Sequence, residues 1–165
     1  MKKQAKVRQL YTKDVRFHHS ISEEKSDGYI MHTHHHYEAY FFISGHVSYM
    51  VDGIEYHPEP YSLILIGANI LHGVNIRSDL PYERYSFHFL PELLSGKNRE
   101  ILLSPFHKLP VRYARLNGFH LESYFESVIS CCEMDSKLKS IALPARMESL
   151  LSQILFIQKS SRELP

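Results

Sequence analysis

Four of the twelve histidines in this 165-residue chain fall within five positions, His32-Thr33-His34-His35-His36, and Glu38 follows them closely. Imidazole is the commonest protein ligand for borderline metals. Alternate residues of an extended strand point to one face, so His32 and His34 can converge and Glu38 can join them. A fourth ligand must come from elsewhere in the chain. His72 is the best candidate, because it follows the strand-like run Ser62-Leu63-Ile64-Leu65-Ile66 and the small-residue turn Gly67-Ala68-Asn69. Three imidazoles and a carboxylate with open positions suit Zn, Ni, Mn or Fe. The same four residues also read as a metal-free, hydrogen-bonded cluster lining a pocket. His35 and His36 read as loop residues.

Other side chains can contribute recognition. Tyr40 and Phe42 share the parity of Glu38 and point to the same cavity if their strand is unbulged. Arg84 and His88 share a face of a later strand. Either they contact a sugar or carboxylate, for which Arg offers a fixed fork of donors, or they form an outward polar face with Tyr85, Phe87 and Phe89 in the core. With eleven tyrosines and no tryptophan, stacking on a ring must use Tyr or Phe. No residue is read as catalytic: no nucleophile elbow and no phosphate-cradling Gly-rich loop stands out.

These residues need a scaffold of short strands. The first ninety residues alternate runs rich in Tyr, Phe, Ile and Val with turn signals. Residues 37–43, 47–51, 54–56, 62–66, 72–76 and 82–89 read as strands, with Asp52-Gly53 as a hairpin turn. Such spacing suggests a mainly β, antiparallel barrel of the jelly-roll kind, from about Val15 to Phe89. After Pro91 the pattern becomes helical. Leu121, Tyr124, Phe125, Val128, Ile129 and Cys132 form one stripe, and Met147, Leu150, Leu151, Ile154 and Leu155 another. Helices are expected over about 119–134 and 142–159, joined by a polar link over 133–139. Pro144 fits the first turn of the second. This C-terminal helical hairpin should cover the barrel with one face, leaving Phe156 and Ile157 over for a partner. The division expected is a barrel with an N-terminal arm over 1–95 and a helical extension over 96–165.

Composition closes several classes. A net charge of +1 gives no field to attract nucleic acid, so DNA binding by this chain is not expected. Lys2, Lys3, Lys6 and Arg8 read as a solvated arm. Adjacent Cys131 and Cys132 suit no structural disulfide, and a reduced, cytoplasmic protein fits best. Cys132 reads as core. Met1-Lys2-Lys3 is not followed by an apolar stretch of the kind a signal peptide needs. No run is long enough to span a membrane.

His32, His34, Glu38 and Gly45, with gaps of three and six residues before the Glu and the Gly, resemble the first motif of the cupins. Gly67-Ala68-Asn69-Ile70-Leu71-His72 resembles the second in part. Gly67 stands where proline is usual and Asn69 where glycine is usual, and Asn is the next best residue for a left-handed backbone. Tyr61-Ser62 replaces the common Gly-Asp, and Ile76 the Asn often found after the second-motif His. The order of barrel then helical hairpin is similar to the amino-terminal domain of AraC-type transcription regulators. Three segments carry that resemblance: residues 32–38 closing on Tyr37-Glu38, residues 51–72, and Phe87-His88-Phe89-Leu90-Pro91-Glu92-Leu93.

The resemblance implies a domain that binds a small polar effector, a sugar among the options, and forms a homodimer through its C-terminal helices. It implies that metal is often not required. DNA reading would belong to a helix-turn-helix part beyond Pro165, and the arm over Met1–Leu10 could close over the pocket. The rival expectation is a stand-alone metal-dependent cupin enzyme, a dioxygenase or sugar isomerase. A third is a sugar-binding cupin without chemistry.

Overall fold

The computed structural model describes residues 6–107, 111–113 and 116–161. Nine strands come first: β1 (Lys6–Tyr11), β2 (Val15–Ser22), β3 (Ile30–His32), β4 (Tyr37–Ser44), β5 (Val47–Val51), β6 (Ile54–Tyr56), β7 (Ser62–Ile66), β8 (His72–Ile76) and β9 (Tyr82–Phe89). Helix α1 (Arg99–Leu103), strand β10 (Val111–Tyr113), helix α2 (Leu121–Ile129) and the long helix α3 (Ser136–Ser161) follow. The described strands form two antiparallel sheets, ordered β1-β2-β9-β4-β7-β10 and β3-β8-β5-β6. This is the mainly antiparallel, cupin-like barrel with C-terminal helices that the sequence pattern indicates.

Local chemistry sets the corners. Asp52 and Gly53 both take positive φ, 49° and 79°, the twist a two-residue hairpin turn requires. Asn69 takes φ 63°, so the turn before His72 keeps its left-handed residue without glycine. Gly45, the last residue of the first motif, has φ 123°, and a Cβ there would sit 2.9 Å from Tyr82 Cα. At Gly73 a Cβ would meet the Ile30 carbonyl oxygen at 2.3 Å. Only glycine lets β3 lie flat on β8 at this level.

The large sheet is buried on both faces. Its outward residues, Ala39, Phe41, Leu63, Leu65, Tyr85, Phe87 and Phe89, pack with Phe125, Val128, Met147, Leu150, Leu151 and Ile154 of α2 and α3 in one apolar core. Phe41 stacks on Phe125, with ring centroids 5.2 Å apart. Its inward residues, Tyr40, Phe42, Ile64, Ile66 and Tyr82, meet Val47, Tyr49 and Val51 of the small sheet. The expected regions 1–95 and 96–165 therefore share the outer core, and β10 from the second adds to the sheet of the first.

Several expectations are corrected. Helix α3 starts at Ser136, so residues 136–139 are helix and not link, and Pro144 lies inside it rather than in its first turn. The start is fixed by Asp135, whose carboxylate accepts the Leu138 N–H at 2.9 Å, a side-chain cap strong enough to place the first turn upstream. Pro144 costs one backbone bond, the one its missing N–H would give to Ser140. Ile157 is fully buried, whereas Phe156 is 56% exposed, as Leu138 and Ile141 are exposed near the other end of the same helix. Cys131, not Cys132, is the buried cysteine, and both are free. The described part of the arm is a paired strand, β1, on the sheet edge. Arg8 reaches from it to the Glu126 carboxylate of α2, which also accepts from Tyr85 Oη. The arm thus braces the helices, with Tyr11 alone at the cavity rim. Residues 1–5 lie outside the described residues. Among the described residues no helix is long and apolar enough to cross a membrane.

Candidate functional site

The site is built from the inward faces of β4 and β9, the end of β3 and the start of β8. Register sets it in layers: Glu38 pairs His88, Tyr40 pairs Ser86 and Phe42 pairs Arg84 between β4 and β9, while His32 pairs His72 between β3 and β8. The top layer is the histidine cluster. Ligand-capable atoms of His32, His34, Glu38 and His72 lie within 4.8 Å of one another. Glu38 Oε2 is the hub, 3.2 Å from His34 Nε2, 2.9 Å from His72 Nε2 and 3.2 Å from His88 Nε2. His88 thus joins the four, its ring stacked on His34 at 4.4 Å.

The proton positions on three of these rings follow from their backbone partners. Nδ1 of His32 faces the Ile30 carbonyl at 3.2 Å, Nδ1 of His34 the His36 carbonyl at 2.9 Å, and Nδ1 of His72 the Ile70 carbonyl at 2.7 Å. A carbonyl only accepts, so each Nδ1 must carry a proton. In the neutral ring the Nε2 lone pair is then turned inward. Nε2 of His72 is buried without a well-formed hydrogen bond, although the carboxylate lies 2.9 Å away. Lone pairs of neutral imidazoles facing a carboxylate call for a cation between them, either protons on the rings or a metal ion. Backbone carbonyls on the far nitrogens are the arrangement that orients histidine for a metal. The donor set fits Zn, Ni, Mn or Fe, with His32, His34, Glu38 and His72 as the holders.

Charge in this layer is strongly coupled. Burial works to raise the Glu38 pKa, but the His88 charge and the close approach of His34, His72 and His88, whose rings when protonated donate to it, outweigh it and hold the carboxyl well below its usual range. Burial likewise opposes a charged His72, and the Glu38 carboxylate overcomes it and raises the imidazole. His32 is pushed down, first by burial and then by the His72 charge.

Below the cluster, Tyr40, Tyr49, Tyr82, Ser86 and Arg84 line a chamber of about 160 Å³. Tyr40 and Tyr82 share a hydroxyl hydrogen bond of 2.6 Å, and Ser86 Oγ donates to Glu38 Oε1 at 3.1 Å. Above it a cleft of about 550 Å³ opens between Tyr11, Arg16, Asn69 and the histidines. His18, His32 and His88 border both spaces. Burial and the neighbouring Arg84 and His88 charges push His18 down to about 4.

All seven residues singled out in the sequence, His32, His34, Glu38, Tyr40, His72, Arg84 and His88, therefore border the chamber, the adjoining cleft or the cluster between them. The outward polar reading of Arg84 and His88 is replaced by an inward one. Tyr85, Phe87 and Phe89 are core, yet of the other face. Tyr49, Tyr82, Ser86 and His18 were missed. Their signal was parity: Tyr82 and Ser86 alternate with Arg84 and His88 on β9, and His18 pairs Ser86 across β2.

A small antiparallel barrel with a polar, histidine-ringed chamber defines a cupin-type ligand-binding domain. Residues 20–163 match the family described as the AraC-like ligand binding domain, and the chain belongs to it. No curated protein matches the chain. Similar solved structures include AerE from Microcystis aeruginosa, 14% identical with a TM-score of 0.45 over 50% of this chain and 40% of that one. The chain thus spans about two-fifths of AerE. A cupin superfamily protein from Desulfitobacterium hafniense is 10% identical, TM-score 0.46, over 55% of this chain and 81% of that one. The cupin domain of Cnp3 from Schizosaccharomyces pombe is 10% identical, TM-score 0.47, over 60% and 72%.

Proposed function

We propose that this chain is the effector-binding and dimerisation domain of an AraC-type transcription regulator and that its chamber senses a small polar molecule without converting it. The observation that carries this reading is the chamber between Glu38 and Arg84, with the α2–α3 layer packed directly on the back of the strands that wall it. A ligand that shifts Tyr40 or Ser86 acts on β4 and β9, whose other faces seat α2 and α3. Coupling requires only that the ligand bind one arrangement better than the other. Homodimerisation would use exposed Phe156, Ile141 and Leu138 of α3, and DNA contact would belong to a helix-turn-helix part outside this chain. The family match and the apolar residues left uncovered on α3 support this.

A second reading, a metal-dependent cupin enzyme, is favoured by the inward Nε2 atoms around Glu38. A cation held by His32, His34, Glu38 and His72 would supply Lewis acidity toward a ligand oxygen. Thermal unfolding of metal-stripped protein with a panel of sugars and small acids, followed by product analysis, separates the two. Stabilisation by an unchanged compound supports the sensor. Product formation that returns only with added metal supports the enzyme.

A further inference from the structure

The proposed sensing role leaves the effector open, and the walls of the chamber narrow it. Resting on that reading, we infer that the effector is a small carboxylic acid whose carboxylate is held by Arg84 at the floor of the barrel. Arg84 projects into the chamber from β9. Its Nη1 donates to Ser22 Oγ at 2.8 Å and to the Tyr82 carbonyl at 3.2 Å, and the guanidinium carbon lies 4.2 Å over the Tyr82 ring. These contacts fix the plane of the guanidinium and use one of its nitrogens. Among the described residues no carboxylate pairs with it. An arginine held in a wall with a free edge is the donor fork that a carboxylate fits with two parallel bonds.

The charge balance points the same way. Among the described residues Glu38 is the one acid lining the chamber or the cleft above it, and it is already surrounded by His34, His72 and His88. Among the described residues neither Arg84 at the floor nor Arg16 at the rim has a carboxylate partner. A neutral sugar would leave these charges unanswered, whereas an anion answers them.

Size sets the scale of the acid. At about 30 Å³ per water, the chamber of about 160 Å³ holds about five waters, enough for an acid of two to five carbons. Arg84 and His88 are four residues apart on β9, so their Cα atoms are separated by about 13 Å. A hydroxyl or keto oxygen at the far end of the acid would then lie toward Tyr40, Ser86 and His88.

The test is thermal unfolding of the whole chain at pH 7 and constant ionic strength. The probes are glycolate, lactate, pyruvate and succinate, each beside its neutral amide or alcohol, with arabinose and xylose as neutral sugars. At least one acid is expected to raise Tm by several degrees while its neutral counterpart does not. R84Q should abolish that shift and R84K should keep part of it, with far-UV circular dichroism checking the fold of both. A Tm shift with the sugars but none of the acids would overturn the inference and leave the sensor reading standing. So would no shift with any acid, or an equal shift in R84Q and R84K. Conversion of a bound acid to product would do the reverse, keeping the ligand class and removing the sensor.

Discussion

The two faces of one sheet do different work. On β4, β7 and β9, residues that differ by a single position enter either the outer core or the chamber. The outer set, from Ala39 to Phe89, meets α2 and α3 in an apolar core, with Arg8, His19 and Glu126 gathered around Tyr85 at its margin. The inner set includes Glu38, Arg84, Ser86 and His88. Burial differs only in part, since Glu38 and Ser86 are as buried as the outer residues while Arg84 and His88 are half-buried, so burial alone does not mark function here. What differs is whether the buried polar atoms find fixed partners. Outside there is little to satisfy and much to bury, which favours stability. Inside, a carboxylate gathers three imidazoles and an arginine keeps a free edge, which favours binding.

The largest expected effect lies on the outer face. Phe125→Ala removes a ring that touches Phe17, Phe41 and Tyr85, and should cost about 3–5 kcal/mol in urea unfolding. The remaining folded protein should bind its ligand nearly normally. A large loss of ligand affinity with little loss of stability would break the division of labour.

Glu38→Gln comes next. It removes the charge that His34, His72 and His88 face, and should cost about 1–3 kcal/mol while lowering affinity for Zn or Ni by tenfold or more in a competition titration. Acid titration sharpens the same point. His18 binds fewer protons folded than unfolded, so its contribution is complete above its ordinary 6.5 and is lost as pH falls toward about 4. Glu38, held below its ordinary 4.5, contributes above that value and loses it as pH falls through its folded pKa. His72, raised by Glu38, runs the other way: its contribution is complete below 6.5 and is lost as pH rises through its folded pKa. The urea midpoint should therefore drop between pH 6.5 and 4, and H18Q should flatten that stretch.

Tyr40→Phe deletes the buried hydroxyl pair with Tyr82 and should cost about 1 kcal/mol. Arg8→Ala should cost least. Its pair with Glu126 is 39% exposed on both sides, and exposed pairs contribute below about 1 kcal/mol after screening. Differential scanning calorimetry ranks both. Arg8 exceeding Tyr40 would mean that the β1–α2 brace, and not the chamber, carries the polar stability of the barrel.

Much of the barrel was legible because its strands alternate in period two and its turns carry Asp52-Gly53 and Asn69. The helical stripes were legible for the same reason at another period. The start of α3 lies upstream of the expected residue 142 because the Asp135 cap sets it, whereas the expectation rested on Pro144. Strand β1 was hidden by its basic residues, which suit a solvated arm as well as an edge strand. β10 spans three residues, too short for a periodic signal. The histidine cluster was legible from its spacing. The side of β9 that faces the chamber was not, because the polar face of Arg84 and His88 suits solvent as well as a polar chamber. Tyr82 and Ser86 were overlooked for that reason.

The most direct measurement is a saturation-transfer NMR spectrum of small acids and sugars incubated with the chain, metal-stripped in one sample and supplied with Zn, Ni, Mn or Fe in others, and recorded again after a day. The expected result is transfer to at least one compound, lost in His88→Ala, with its resonances unchanged at the end. New product resonances, or transfer to no compound at all, would contradict a sensing chamber.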